Sequence, residues 1–554
     1  MNEVFDYIVV GAGSAGCAVA ARLADAGTES VALLETGGHD FSPAITIPIG
    51  LAATVPKPGR YNYGFVTEPQ PALNSRRGYQ PRGRGLGGSS SINGMIYIRG
   101  VPSDYDGWAA SGCDGWAWED VLPYFKRSEC NERLAGHDED AWHGGRGPVY
   151  VVDTRSLNPF DRRFVECGQS AGIPYNHDFN GAQQEGVGYY QRTQRDGERW
   201  NTARAYLHRG NQDALNGKRE NLSVLPDTQV LRVVFEGKRV VGVRVVRNGV
   251  ESMLMARCEV ILSAGTFGSP QLLMASGIGP AAHLREHGIG VVVDAPGVGQ
   301  NLQEHPDMKL MHRLSSTDLY AATVRGGLRL LSEWRRYKKE RFGMFASNIA
   351  ETGGFVKSRP DLENPDLQLH FSTTLGDSKK RNVHGYCLHA CVLRPYSRGQ
   401  VRLASADTRV SPSIDQNLLS DARDMETLVA GVRIARRILA QPSLATLGGA
   451  AHNYGHLRLD GSDDAAVREW IREQADIIFH PVGTCRMGSD AESVVDSELR
   501  VRGVEGLRVA DASIMPTVIG GNTNGPAIMI GEKAADLVRG IRRADAASFR
   551  QAVA

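Results

Sequence analysis

A doubly wound parallel α/β sheet, joined to a separate α+β region built on an antiparallel sheet, is the architecture this sequence predicts. Three observations predict it. The apolar run Tyr7-Ile8-Val9-Val10 passes at once into Gly11-Ala12-Gly13-Ser14-Ala15-Gly16 and then into a helical stretch from Cys17 to Leu23, the strand, tight turn and helix of a Rossmann-like nucleotide site. A second strand-to-helix crossing, Glu259 to Gly265 followed by Gln271 to Ala275, recurs far downstream. From Asp307 to about Gln474 the glycine motifs thin out and period-two alternation takes over, as in Leu367-Gln368-Leu369-His370-Phe371, Cys387 to Leu393 and Gln400 to Ala404.

Each element has a local reason. Gly11 permits the sharp turn, Gly13 lets backbone approach a pyrophosphate, and Gly16 lets helix and strand pack closely, with the helix N-terminus facing the phosphate charge. The next apolar run, Val31 to Leu34, ends in Glu35, where an acidic side chain accepts from both ribose hydroxyls and disfavours a 2′-phosphate. NAD and FAD share this half-site, so the motif does not choose between them. The segment Arg82 to Asn93, with Gly83, Gly85, Gly87 and Gly88, is a loop held close to something, able to cradle an anion or a ring edge with its amides and serines. Leu231–Phe235 and Val240–Val246 alternate about Glu236-Gly237-Lys238 as a hairpin. The small-residue turn at Ala264-Gly265 lies beyond a strand's carboxyl end, where a doubly wound sheet binds its ligand; it reads equally as a plain turn. Leu507 to Asp511 ends another strand, and Pro526 to Leu537 reads as a closing helix.

Composition narrows the function. Against 62 acidic residues stand 63 Lys and Arg, a formal charge of +1, so no overall field steers the 554-residue chain to nucleic acid or anionic lipid, and small neutral molecules are the expected partners. Eight cysteines lack zinc-ligand spacing and read as reduced, mostly buried thiols, so no metal is expected, even at Cys387 and Cys391 with His384 and His389 nearby. The N-terminus runs directly into a strand without a secretory pattern, and no apolar run is long enough to span a bilayer, which gives a cytoplasmic expectation. The stretch Ile541 to Arg550 reads either as a frayed tail or as a basic amphipathic helix resting at the inner face of a membrane.

Taken together, these residues resemble the glucose-methanol-choline family of FAD-dependent oxidoreductases over essentially the whole chain. Gly83 to Asn93, continuing to Asp106, and Gly265 to Gly279 look like its two signatures, and His480-Pro481-Val482-Gly483-Thr484-Cys485-Arg486-Met487-Gly488 and Gly521-Asn522-Thr523-Asn524 lie in its order. Gly88 to Asn93 and Arg199 to Arg204 resemble the bacterial branch of choline dehydrogenases and aliphatic-alcohol or polyethylene glycol dehydrogenases. The resemblance implies an FAD domain from residues 1–147, 221–306 and 472–545, and a substrate domain from 148–220 and 307–471 whose sheet walls the flavin. Some members attach FAD through a histidine where this chain has Ile92, so noncovalent FAD is implied.

The resemblance places FAD contacts at Gly11, Gly13, Ser14, Ala15 and Gly16, at Glu35, at Gly87, Gly88, Ser89 and Asn93, and at Val230, Ala264, Gly265, Asp511, Asn522 and Thr523. His480 is implied as the proton acceptor, since imidazole titrates near neutral pH and the following Pro481 steers it toward an extended loop. Asn524 is implied as the second catalytic position, orienting the substrate oxygen; read locally it also caps the helix near Pro526. His370 reads as a substrate-pocket residue or an ordinary sheet histidine, and Asp511 as an FAD contact or a cap for Ala512 onward. The implied reaction is oxidation of a primary alcohol, aliphatic or glycol ether, with hydride passing to flavin N5 and electrons to a quinone-like acceptor. Choline oxidation, an oxygen-using oxidase and a hydroxynitrile lyase remain alternatives.

Overall fold

The computed structural model describes residues 3–134, 137, 139–208, 219–375, 382–447, 450–451 and 464–540. The chain opens with β1 (Glu3–Val10), α1 (Ser14–Ala26) and β2 (Val31–Leu34). After α2 (Pro159–Ser170) and β3 (Gly186–Tyr189) come β4 (Leu222–Leu225), the hairpin β5 (Thr228–Glu236) and β6 (Arg239–Arg247), the long β7 (Val250–Leu262) and α3 (Gly265–Ala275). The second half supplies β8 (Pro306–Arg313), β9 (Thr352–Val356), β10 (Leu367–Ser372), β11 (Gly385–Val392) and α4 (Ala422–Leu439), then β12 (Asp476–Ile477), β13 (Leu507–Val509) and α5 (Asn524–Val538).

Two sheets carry the fold. The first runs β4-β2-β1-β7, parallel throughout, with β13 parallel to the last three residues of β7 and the β5–β6 hairpin antiparallel to its first half. A strand covered on both faces must be apolar at consecutive positions; Val31 to Leu34 is buried at all four. The second sheet runs β8-β11-β10-β9-β3, all antiparallel, with β12 added beside β8. Here alternation decides the faces: Leu367, Leu369 and Phe371 pack with α2 and α4 in one core, while Gln368 and His370 point to the other face.

The two bodies interleave more than the sequence boundaries suggested. Trp200, Ala203, Tyr206 and Leu207, placed with the substrate region by sequence, are buried in the core of the parallel sheet, and β12, placed with the nucleotide region, pairs with β8. Residues 400–402 pair with 413–415 in a two-stranded ribbon of their own, apart from the second sheet. The Ile541 to Arg550 stretch lies outside the described residues, and no helix among those described is long and apolar enough to cross a membrane.

Helix α1 is alanine-rich and buried along nearly its whole length, which keeps it thin enough to lie between the sheet and α5. At Gly531 of α5 the approach becomes backbone to backbone, and a methyl there would overlap the carbonyl oxygen of Ala15. Gly531→Ala is therefore expected to cost about 1–3 kcal/mol, the range for overpacking a close contact. Chemical denaturation of the purified variant measures it, and an unchanged midpoint would contradict this packing.

Candidate active site

The fingerprint turn folds around backbone contacts that tolerate no side chain. A methyl on Gly11, whose φ is +101°, would overlap the Ser263 carbonyl, and one on Gly16 would overlap that of Gly11. Ala15 and Gly16 are buried in the first turn of α1, whereas Gly13 faces open space. Gly87 and Gly88, with φ of +87° and +51°, carry the 83–93 loop across the start of α1. There Gly87 donates to the Ala12 carbonyl at 2.8 Å, and a Cβ on Gly88 would stand 2.7 Å from Gly13 Cα. Ser89 closes the loop by accepting from Gly83 N–H, and Asn93 Oδ1 accepts from Met95 N–H and from Arg199.

Glu35 holds these pieces in register. Its carboxylate accepts from the amides of Ala12, Gly37 and Gly85 at 2.9–3.0 Å, three segments tied by one side chain. Burial raises its proton affinity and the three N–H groups oppose that rise. Val230 is buried in β5, two residues beyond Thr228, whose N–H donates to the Glu35 carbonyl at 2.8 Å. Asp511 follows its capping alternative: it accepts from Ser513 N–H, and its other oxygen from Gly265 N–H and the Ser269 hydroxyl. Ala264 N–H goes to the same Ser269.

Two helices present bare N-termini here. Neither α1, capped by Gly13, nor α5, capped by Thr523, has a side-chain cap bond or an acid in its first turn, so their first amides stay available to an anion. The Ser14 hydroxyl donates to Asn524 Oδ1 at 2.7 Å and pins the two ends together. These bare ends, the open space at Gly13 and the carboxylate of Glu35 fit the pyrophosphate and ribose of a bound dinucleotide.

The second half of the site centres on His480. Asn524 has its amide oxygen engaged by Ser14 at the helix start. Asn522, two residues earlier and outside the helix, puts Nδ2 at 3.1 Å from His480 Nε2. On the other side of the ring, His480 Nδ1 lies 3.1 Å from Nδ1 of His305, the rings nearly perpendicular at 85°. The peptide leading into His480 is clamped from both sides. Arg82 donates to the Phe479 carbonyl at 2.9 Å, while His480 N–H donates to Glu304 at 2.6 Å, and that same carboxylate oxygen accepts from His305 N–H. Phe479 is held at φ +70°, a left-handed conformation that costs a side-chain-bearing residue about 1–3 kcal/mol. Burial, then the neighbouring His305, His370 and Arg82, hold the His480 imidazole well below its ordinary value. It is neutral at neutral pH.

His370 lies across on β10, buried, with no hydrogen-bond partner at either ring nitrogen among the described residues. Burial and the nearby His389 and His305 bring it down to about 3. His389, its register neighbour on β11, gives Nδ1 to Asp307 at 2.7 Å and is pushed up to about 10, chiefly by Asp307 working against burial. Lys309, in register with His389, pairs with Asp476 at 3.0 Å. Among the described residues no group of three or more His, Cys, Asp or Glu is arranged to hold a metal ion, and all eight cysteines are free thiols.

Arg82, Glu304, His305 and Asn522 beside His480 were not read from the sequence as a group. One signal was there: His305-Pro306 repeats the dipeptide His480-Pro481, and the two histidines meet. Burial pushes the Glu304 carboxyl from the ordinary 4.5 up to about 7, against Arg82 and two amides. A carboxyl with a raised folded-state pKa stabilises the fold below its unfolded value and loses that contribution as pH rises. Wild type is thus expected to lose stability relative to Glu304→Gln between about pH 4.5 and 7, by at most about 1.4 kcal/mol per unit for one proton. Thermal melts of both proteins across that window check it; parallel curves would refute it.

Comparison with known proteins completes the site. The GMC oxidoreductase N-terminal profile matches residues 5–307 and the C-terminal profile residues 395–531. "Alcohol dehydrogenase [acceptor]" of Pseudomonas putida is 44% identical over 99% of this chain and 97% of its own length. "Oxygen-dependent choline dehydrogenase" of Brucella ovis is 42% identical over 97% of this chain and 95% of its own. Among solved structures, a pyridoxine 4-oxidase from "Mesorbium loti" superposes with a TM-score of 0.84 at 29% identity, over 97% of this chain and 100% of the other. An Aspergillus oryzae formate oxidase variant, studied for its FAD modification, superposes at 0.88 with 26% identity, over 98% and 99%. This chain belongs to the GMC oxidoreductase family, and its cofactor is FAD.

Proposed function

We propose that the protein oxidises a primary alcohol, an aliphatic alcohol or glycol ether, to the aldehyde and delivers the electrons to a quinone-like acceptor. The observation that carries this reading is the His480–Asn522 pair, a neutral imidazole nitrogen and an amide donor 3.1 Å apart in a buried setting. A substrate oxygen that displaces this contact gives its hydroxyl proton to His480 Nε2 and accepts from Asn522 Nδ2. The base removes the proton while the amide, neutral throughout, stabilises the charge that develops on oxygen. Asn524 then serves the helix start rather than the substrate. FAD, when bound, supplies the acceptor for the hydride leaving the alcohol carbon. Ile92, at the position where some members attach FAD through histidine, is buried and has no nucleophilic atom, which supports noncovalent attachment.

On the wall opposite, two carboxylates, Asp307 and Asp476, are each paired with a cation, His389 and Lys309, which supports an uncharged substrate over a quaternary ammonium. The names of the Pseudomonas and Brucella relatives support alcohol chemistry and leave oxygen and other acceptors to be separated by peroxide yield against quinone reduction.

His480→Ala is expected to keep FAD and slow anaerobic flavin reduction by ~10²-fold or more, and Asn522→Ala by ~10²-fold, the usual scales for a lost base and a lost oxyanion donor. Asn524→Ala is expected to slow it far less than Asn522→Ala; the reverse order in stopped-flow traces would return the role to Asn524. Glu35→Ala is expected to release FAD on dilution, seen as loss of protein-bound absorbance after gel filtration, and a variant that stays yellow would refute the ribose contact.

A further inference from the structure

A base at His480 Nε2 needs a lone pair there, and a neutral imidazole carries one at only one of its two nitrogens. Rotating an amide end for end, or moving the ring proton, changes no heavy-atom position, so the tautomer has to be deduced from groups whose donor or acceptor role cannot change. Such groups lie at the far end of a hydrogen-bond chain that begins in the second sheet.

The chain starts at the Tyr190 hydroxyl. It donates its single proton to a backbone carbonyl, that of Leu369 at 2.7 Å, and a carbonyl can only accept. It accepts from the N–H of Gly354 at 3.0 Å, and that group can only donate. With its proton committed, the Tyr190 oxygen has only acceptor capacity left for the Gln368 side chain at 3.3 Å, so Gln368 turns Nε2 toward it. The same Nε2 gives its other hydrogen to Asn522 Oδ1 at 3.0 Å. Asn522 must therefore present Nδ2, a pure donor, to His480 Nε2. His480 Nε2 accepts, its proton resides on Nδ1, and Nδ1 donates to His305 Nδ1 at 3.1 Å. With Nδ1 of His305 accepting, the proton of that neutral ring resides on Nε2.

We propose that Tyr190 and Gln368 are positioning residues that fix His480 in the tautomer whose Nε2 carries the lone pair, held by Asn522 Nδ2 until a substrate hydroxyl takes that place, their direction being set by the backbone of β9 and β10. The inference rests on His480 being the proton acceptor. Two further observations support a built relay. Gly353 makes room for the Tyr190 ring, since a Cβ there would stand 2.5 Å from the hydroxyl. Gln368 is fully buried with Oε1 unpartnered, so its orientation is dictated by Nε2 alone. A flipped amide would put two acceptors against each other at Tyr190, the costly case for buried polar atoms.

The test compares holoenzymes of wild type, Gln368→Glu and Tyr190→Phe. A carboxylate at 368 is acceptor-only, so Asn522 turns over to donate to it and shows its oxygen to His480. Nuclear magnetic resonance of nitrogen-labelled histidine, with the His480 signals identified by their absence in His480→Ala, reads the tautomer; anaerobic stopped-flow with alcohol reads flavin reduction. Wild type is expected to show a pyridine-like Nε2. Gln368→Glu is expected to show a pyrrole-like Nε2 and flavin reduction slower by ~10²-fold or more, with little change in the alcohol concentration giving half the maximal rate. Tyr190→Phe, which removes the orienting oxygen but no charge, is expected to give a mixture of both tautomers. A pyridine-like Nε2 retained in both variants overturns the relay, whatever the rates. A switched tautomer with an unchanged rate upholds the relay and instead removes His480 as the base. If Gln368→Glu fails to hold FAD, the Tyr190→Phe spectrum decides alone.

Discussion

The close seating of α5 on α1 is the constraint from which the site follows. Because Gly531 and Ala15 meet backbone to backbone, the two helices begin side by side, and Ser14 can reach Asn524. That bond uses up the first residue of α5 and fixes where the helix starts. The chain two residues earlier is then outside the helix, and Asn522 is free to turn toward His480. The same meeting of two bare helix ends gives the cleft its affinity for anionic groups. A loss of one methyl's worth of space at this contact would thus displace the phosphate cradle and the substrate amide together.

Much of the fold was legible because its signals are local. Gly11, Gly13, Gly16 and Glu35 lie within a single strand-helix-strand unit, and the alternation that placed β10 and β11 is a property of each strand by itself. The interleaving of the two bodies was not legible, since nothing within Trp200 to Leu207 says which of two cores will receive it. The site divides the same way. His480 stood in a recognisable segment, but the choice between Asn522 and Asn524 depended on where α5 begins, and both lie on a turn rich in small residues. Arg82, Glu304 and Gln368 are ordinary polar residues in sequence. They gain their roles from contacts spanning more than a hundred residues, which no periodicity records.

Electrostatics in the cleft are governed by burial more than by net charge. The chain is nearly neutral overall, yet one wall holds a neutral His370 beside a charged His389, because only the second has a carboxylate in contact. His480 has no carboxylate at its ring; Glu304 touches its backbone N–H instead and leaves the imidazole uncharged. An acid placed on the ring itself would raise its proton affinity and occupy the nitrogen that the reaction needs.

The parallel sheet has a consequence for the order of biosynthesis. β1 and α1 are made long before β13, which completes the edge of β7, and α5, which covers α1, since both of these come from residues 507–538. A nascent chain therefore emerges from the ribosome with this layer still lacking two of its neighbours, and hundreds of residues must be added before that apolar surface is closed. Until then it offers chaperones a binding surface, and the cofactor cradle cannot be finished before the closing helix arrives.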